Sequence, residues 1–169
     1  LLAPRPGELC LDLAAGTGIL TGQLVRAGLA VTAAEPLEAM ARQLRLALPG
    51  VPLARCVAEA IAWRDHSVDM ITVGQGFHWF DAERALAEAA RVLRPGGVLA
   101  LVWNVRDEST SWVAELTQLV ERRTGARPYD DHRERPWSEV IAGSGLFDAV
   151  EEQQFANPIP TDVEGVLER

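Results

Sequence analysis

Lysine is missing from this chain: all 16 basic residues are arginine, set against 24 acidic ones, for a formal net charge of −8. So acidic a surface repels phosphate backbones, and nucleic acid is not an expected partner. Cysteine is scarce. Cys10 and Cys56 both fall in predicted buried strands and offer no CxxC pair and no metal-ligand spacing, so no metal site is expected. Small core residues in a reducing cytoplasm are the expectation for both. No apolar run approaches the ~20 residues of a membrane span. Pro4, Pro6 and Gly7 interrupt what could otherwise start a signal peptide. There is no initiator Met, and the chain opens just before its first motif, as expected of a fragment, or of the ordered part, of a longer protein. Repeats, low-complexity stretches and linkers are absent as well, which leaves a single domain over residues 1–169.

Apolar strands alternate with helices along the first two-thirds of the chain. Strands are expected at Glu8–Leu13, Leu29–Ala34, Val51–Val57, Val68–Val73 and Val98–Trp103. Helices are expected at Ile19–Ala27, closed by Gly28, at Leu37–Leu48, stopped by Pro49-Gly50, and at Asp81–Leu93 with Asp81 as N-cap. Strands that are apolar on both faces and alternate with helices imply a parallel sheet covered on both sides, in a Rossmann-like, doubly wound α/β fold. Beyond Trp103 the pattern loosens. Helices are predicted at Thr110–Arg123 and Trp137–Ala142, with a polar loop at Thr124–Arg135 between them. Phe147–Phe155 reads as an antiparallel edge strand, and Asp162–Arg169 as the start of a further helix.

The chemistry concentrates where the first strand ends, in Leu11-Asp12-Leu13-Ala14-Ala15-Gly16-Thr17-Gly18. Gly16 and Gly18 allow a tight turn and close approach of a ligand to the backbone. Open α/β sheets bind ligands at this edge. Glu35 closes the second strand, where an acid can accept both hydroxyls of an adenosine ribose. A nicotinamide site wants a third glycine, at the position that Thr21 occupies here. Asp12, ahead of the turn, would repel a pyrophosphate and suit an ammonium group. The charge therefore favours S-adenosylmethionine over a dinucleotide.

With these residues the chain, from about Gly7 to Phe155, resembles the class I S-adenosylmethionine-dependent methyltransferases and their DxGxGxG motif. Asp12, Gly16 and Gly18 match that motif, and Ala14 replaces its first glycine. The resemblance implies that Ala14, Gly16, Thr17 and Gly18 line the cofactor. It places Glu35 at the ribose, with Pro36 and Met40 beside the adenosine, and Ala58-Glu59-Ala60 at the adenine edge. Ser67–Ile71 and Arg94-Pro95-Gly96-Gly97 match the fourth strand and the turn before the fifth. Gly74-Gln75-Gly76-Phe77-His78-Trp79-Phe80-Asp81 is similar to the QAFHWFD segment of a methyltransferase type 11-like subgroup, with Gly76 in place of the usual alanine. Within this frame Gln75 joins the cofactor residues, residues 7–104 form the core, and residues 105–169 form a substrate-side region.

His78 is the candidate catalytic residue, as a general base or as a partner for a substrate carboxylate. The plainer alternative is a packing histidine beside the following helix. His78, Trp79 and Trp103 are candidates for substrate binding, and core packing is the alternative for Trp79. Trp112 and Trp137 flank the polar loop, and core anchoring is expected of both. The resulting expectation is methyl transfer to a small molecule, through a carboxylate or a hydroxyl. A non-catalytic cofactor-binding domain and a nicotinamide oxidoreductase are the rivals. Oligomeric state is left open.

Overall fold

The computed structural model describes residues 7–125, 136–158, 160 and 165. Five strands form one sheet: β1 (Leu9–Leu13), β2 (Ala30–Ala34), β3 (Leu53–Ala54), β4 (Val68–Gly74) and β5 (Leu93–Val102). Their order is β3-β2-β1-β4-β5, and each neighbouring pair is parallel. The helices are α1 (Ile19–Arg26), α2 (Glu38–Ala47), α3 (Ala82–Val92), α4 (Ser111–Thr124) and α5 (Trp137–Gly143), with a 3-10 turn at Phe77–Trp79. Because all strands run the same way, the loops after each of them gather on one edge. The chain reverses direction between β1 and β4, which opens a crevice at that edge.

The period-two alternation of β1 divides the core. Leu11 and Leu13 join Ile71 and Val73 of β4 and pack under Ala85, Leu86, Ala89 and Val92 of α3, with Trp137 of α5 closing the same cluster. On the other face, Cys10, Met70, Leu29 and Val31 pack with Leu24 of α1. A fully buried leucine such as Leu11 or Leu86 contributes roughly 1.5–3 kcal/mol. Asp81 caps α3 as expected, its Oδ1 accepting from Arg84 N at 3.3 Å. Arg91 ties the segment before β4 to α3: it donates to Glu88, Asp65 and the carbonyls of Trp63 and Ile61.

Several expectations need correction. No antiparallel strand forms at Phe147–Phe155. The described sheet is wholly parallel, and residues 148–158 are exposed. Glu151-Glu152-Gln153-Gln154 puts four polar residues in a row, which leaves no apolar face to seat on the sheet. β3 has two paired residues instead of seven, and Cys56 lies beyond it, half-buried. Pro52 has no N–H to lend the ladder, and Arg55 turns away to bond Glu38 and the Pro36 carbonyl. β5 starts earlier than expected. Leu93 pairs with Val68 and Val98 with Met70, so residues 94–97 bulge out of the strand. The polar loop at residues 126–135, and the helix start expected at Asp162–Arg169 apart from Gly165, lie outside the described residues.

That bulge is anchored at the edge opposite the crevice. Asp69 receives Arg94 Nη1 at 2.6 Å and Leu9 N at 2.9 Å, and the Arg94 bond holds its carboxyl below the usual range. A Cβ on Gly97 would lie 2.8 Å from the Arg94 oxygen and 3.0 Å from the Asp69 oxygen, both backbone atoms. We expect Gly97→Ala to cost about 1–3 kcal/mol, read as a lowered urea midpoint. An unchanged midpoint would mean that the bulge relaxes freely.

Candidate functional site

The loop from Ala14 to Gly18 runs from β1 into α1 along the sheet edge. Its backbone is left-handed at Ala14 (φ 55°), Gly16 (φ 59°) and Gly18 (φ 90°). Gly18 is irreplaceable on two counts. Besides its φ, an added Cβ would lie 2.9 Å from Leu44 Cγ, where α2 packs against the start of α1. Ala15 N donates to the last carbonyl of β2, Ala34 O, at 3.0 Å, which ties the loop to the neighbouring strand.

Two carboxylates fix this loop from different sides. Glu35, 3% exposed, accepts from Gly16 N through Oε2 and from Leu37 N through Oε1, each at 2.8 Å. Asp12 is fully buried beneath the loop. Its Oδ2 accepts from Thr21 Oγ1 at 2.6 Å and its Oδ1 from Thr72 Oγ1 at 3.0 Å. The Thr72 hydroxyl also lies 3.8 Å from Cys10 Sγ. Burial pushes the Asp12 carboxyl above its ordinary range against these hydroxyl bonds, and it pushes the Cys10 thiol up to about 11. The carboxylate that the sequence set ahead of the turn is thus enclosed between the hydroxyls of α1 and β4. The sequence reading did not place Thr21 or Thr72 beside Asp12. The pairing of Asp12 with Thr72 links positions 60 residues apart, and no local pattern carries it.

The other expected cofactor residues gather at the same edge. Pro36 is half-buried, and Met40 is exposed on α2 with its Sδ 4.0 Å from where a Gly16 Cβ would lie. Ala58 is buried. Glu59 accepts from Asp81 N at 2.8 Å, so its carboxylate joins the post-β3 loop to α3. Ala60 and Gln75 are exposed, and Gln75 has a left-handed backbone (φ 59°). The loops at this edge also expose Ile19, Leu37, Val57 and Val105, an apolar rim around polar backbone.

The expected substrate residues differ in their surroundings. His78 lies in the 3-10 turn, 4.9 Å from the Trp79 ring. Its Nδ1 is buried and has no hydrogen-bond partner among the described residues. Trp79 is 78% exposed, so the core-packing alternative does not hold for it. Trp103 instead stacks on Trp137 at 6.3 Å, and Trp137 meets Phe77 edge-on at 5.2 Å. Trp137 is thus the core anchor expected of it. Trp112 is not: it is half exposed on α4. Among the described residues no three His, Cys, Asp or Glu side chains form a metal-holding group, and no helix is long and apolar enough to cross a membrane.

A family model described as a methyltransferase domain matches residues 11–101, which span the loop, both carboxylates and β4. The chain belongs to that methyltransferase family. This methyltransferase is similar to an uncharacterized methyltransferase of Mycobacterium tuberculosis, 40% identical over 172 residues, covering 96% of this chain and 71% of the relative. It is also similar to a malonyl-[acyl-carrier protein] O-methyltransferase of Methylococcus capsulatus, 42% identical over 105 residues, covering 59% of this chain and 38% of the relative. Its fold matches the crystal structure of an S-adenosylmethionine-dependent methyltransferase from Mesorhizobium loti with a TM-score of 0.53 at 23% identity, over 57% of this chain and 46% of that one. The cofactor of this methyltransferase is S-adenosylmethionine, and the geometry fits it. Glu35 keeps one further acceptor position on each oxygen, and the left-handed loop and apolar rim lie beside it.

The buried acid has a pH consequence. The unfolded chain releases the Asp12 proton in the ordinary carboxylate range, and the folded chain releases it only above that range. Between the two the folded chain binds more protons, so this group lowers stability as pH rises through the window. The stability advantage of Asp12→Asn over the native chain should therefore widen from about pH 4 upward, measured by urea unfolding. A difference that stays flat with pH would show that the acid is not perturbed. Thr21→Val, which removes one of the hydroxyl donors, should cost about 1–3 kcal/mol in the same assay at neutral pH.

Proposed function

We propose that the protein, as a single domain over residues 1–169, transfers the methyl group of S-adenosylmethionine to a small molecule through a carboxylate or hydroxyl oxygen. The observation that carries this reading is the Glu35 carboxylate, held by Gly16 N and Leu37 N at the crevice edge. Its free acceptor positions suit the two vicinal hydroxyls of a ribose. Asp12 acts through the loop: with Thr21 and Thr72 it sets the backbone of Ala14, Gly16, Thr17 and Gly18 against the cofactor. Pro36 and Met40 flank the adenosine on one side, and the 58–60 segment and Gln75 border it on the others.

When bound, the cofactor supplies a methyl group already activated on a sulfonium, so the chain's main task is to place the acceptor. His78 lies just past β4, and its buried Nδ1 has no partner among the described residues, which suits contact with the acceptor. For a carboxylate it binds the anion. For a hydroxyl it takes the proton. Trp79 and the region from 105 onward border the acceptor, with Trp103 holding the floor through its stack on Trp137. The net charge of −8 disfavours nucleic acid acceptors, and the O-methyltransferase name of the Methylococcus relative supports oxygen.

Two measurements test the reading. Titration calorimetry with S-adenosylhomocysteine should show binding to the native chain and at least a ~10-fold loss for Glu35→Ala. Equal affinity would overturn the ribose assignment. Radiolabelled methyl transfer to a panel of carboxylic acids and alcohols should find an acceptor. For a hydroxyl acceptor, His78→Ala should lower turnover about 100-fold with cofactor affinity kept.

A further inference from the structure

Two departures from the resembled motifs meet in space. Ala14 stands where the glycine-rich motif has its first glycine, and Gly76 stands where the segment after β4 has alanine. The chain thus carries its one methyl group on the β1 side of the crevice instead of the β4 side. Ala14 holds its methyl at a left-handed φ of 55°, a conformation disfavoured for an L-residue. A Cβ on Gly76 would lie 3.2 Å from Ala14 Cβ and 3.3 Å from Val73 Cγ1. Both distances are tighter than ordinary contact; the Val73 contact lies within the β4 side and persists whichever residue stands at 14, whereas the Ala14 contact links the two loops. There is room for one methyl group between the two loops.

We infer that Ala14 and Gly76 form a positioning pair, which sets the spacing between the cofactor loop and the turn that carries His78. The inference rests on the functional reading above, since the spacing matters only if both loops border one bound cofactor. Ala14 precedes Gly16, whose N–H is held by Glu35. Gly76 follows the left-handed Gln75 and opens the 3-10 turn of Phe77–Trp79. A second methyl between them must move one loop by a few tenths of an ångström. Both loops are tied down, the β4 side by Gln75 N on Val102 O at 2.9 Å and the β1 side by Ala15 N on Ala34 O at 3.0 Å. Any give on the β1 side moves Gly16 against Glu35, which is how crowding between the loops reaches the cofactor.

The test is a double-mutant cycle on the whole chain, with S-adenosylhomocysteine affinity by calorimetry and thermal midpoint for each variant. Gly76→Ala should weaken binding about 10-fold, Ala14→Gly should change it less than about 3-fold, and the double variant should return to within about 3-fold of the native chain. Affinity is read well below every midpoint, so a loss of stability alone does not move it. Additive effects on affinity, or equal binding by all four chains, would overturn the pair while leaving the cofactor reading in place. A native chain that binds neither S-adenosylhomocysteine nor S-adenosylmethionine would overturn both. Gly76→Ser in the Ala14→Gly background tests size further. It should bind more weakly than the Gly76→Ala double variant, and equal binding would count against a steric seat.

Discussion

The structure turns on how a short run of left-handed backbone is kept in place by two buried acids. Loop residues at positive φ do not hold their shape unaided, least of all an alanine. Here Glu35 grips the loop through an N–H at its centre, while Asp12 sits under it and is held by hydroxyls from α1 and β4. Burying a carboxylate costs several kcal/mol unless hydrogen bonds offset it. The raised proton affinity of Asp12 shows that the offset is incomplete. The fold accepts this cost at the one edge where a methyl donor is to be received, and secures the opposite edge with the Asp69–Arg94 pair.

This division of labour explains why the site needs so few reactive groups. The sheet aligns five strand ends, and helices on both faces keep them in register. In the proposed reading, hydrogen-bonding backbone, one acid and exposed apolar side chains receive a cofactor that brings its own activated group. The proposed acceptor side is less specified: one histidine nitrogen without a partner among the described residues, an exposed tryptophan, and an irregular stretch beyond β5.

Much of the fold was legible in the sequence because burial on both faces leaves long apolar strands and the intervening helices have plain stop signals at Gly28 and Pro49-Gly50. Where a boundary depends on a partner distant in the chain, local pattern fails. Leu93 belongs to β5 only because Val68 receives it, and β3 ends where Arg55 finds Glu38. The edge strand expected at Phe147–Phe155 rested on its ends, while the four polar residues inside it decided the outcome. At the candidate site, the tight turn at Gly16 and Gly18 and the position of Glu35 beside it were legible from spacing. Asp12 was recognised, but its surroundings were not, because a threonine in α1 and another in β4 look unremarkable until the sheet brings them together. The match between Ala14 and Gly76 was invisible for the same reason: each alone is a mild exchange.

Cys10 lies at the foot of this assembly, sealed in β1 and touching the hydroxyl that steadies Asp12. A thiol in that position is a built-in reporter. Alkylating reagents reach it only when β1 parts from β4 or α1 lifts, so its labelling rate measures how often the floor of the crevice opens. Cys56, half-buried on the rim of the sheet, supplies an internal reference for local fluctuation on the same molecule.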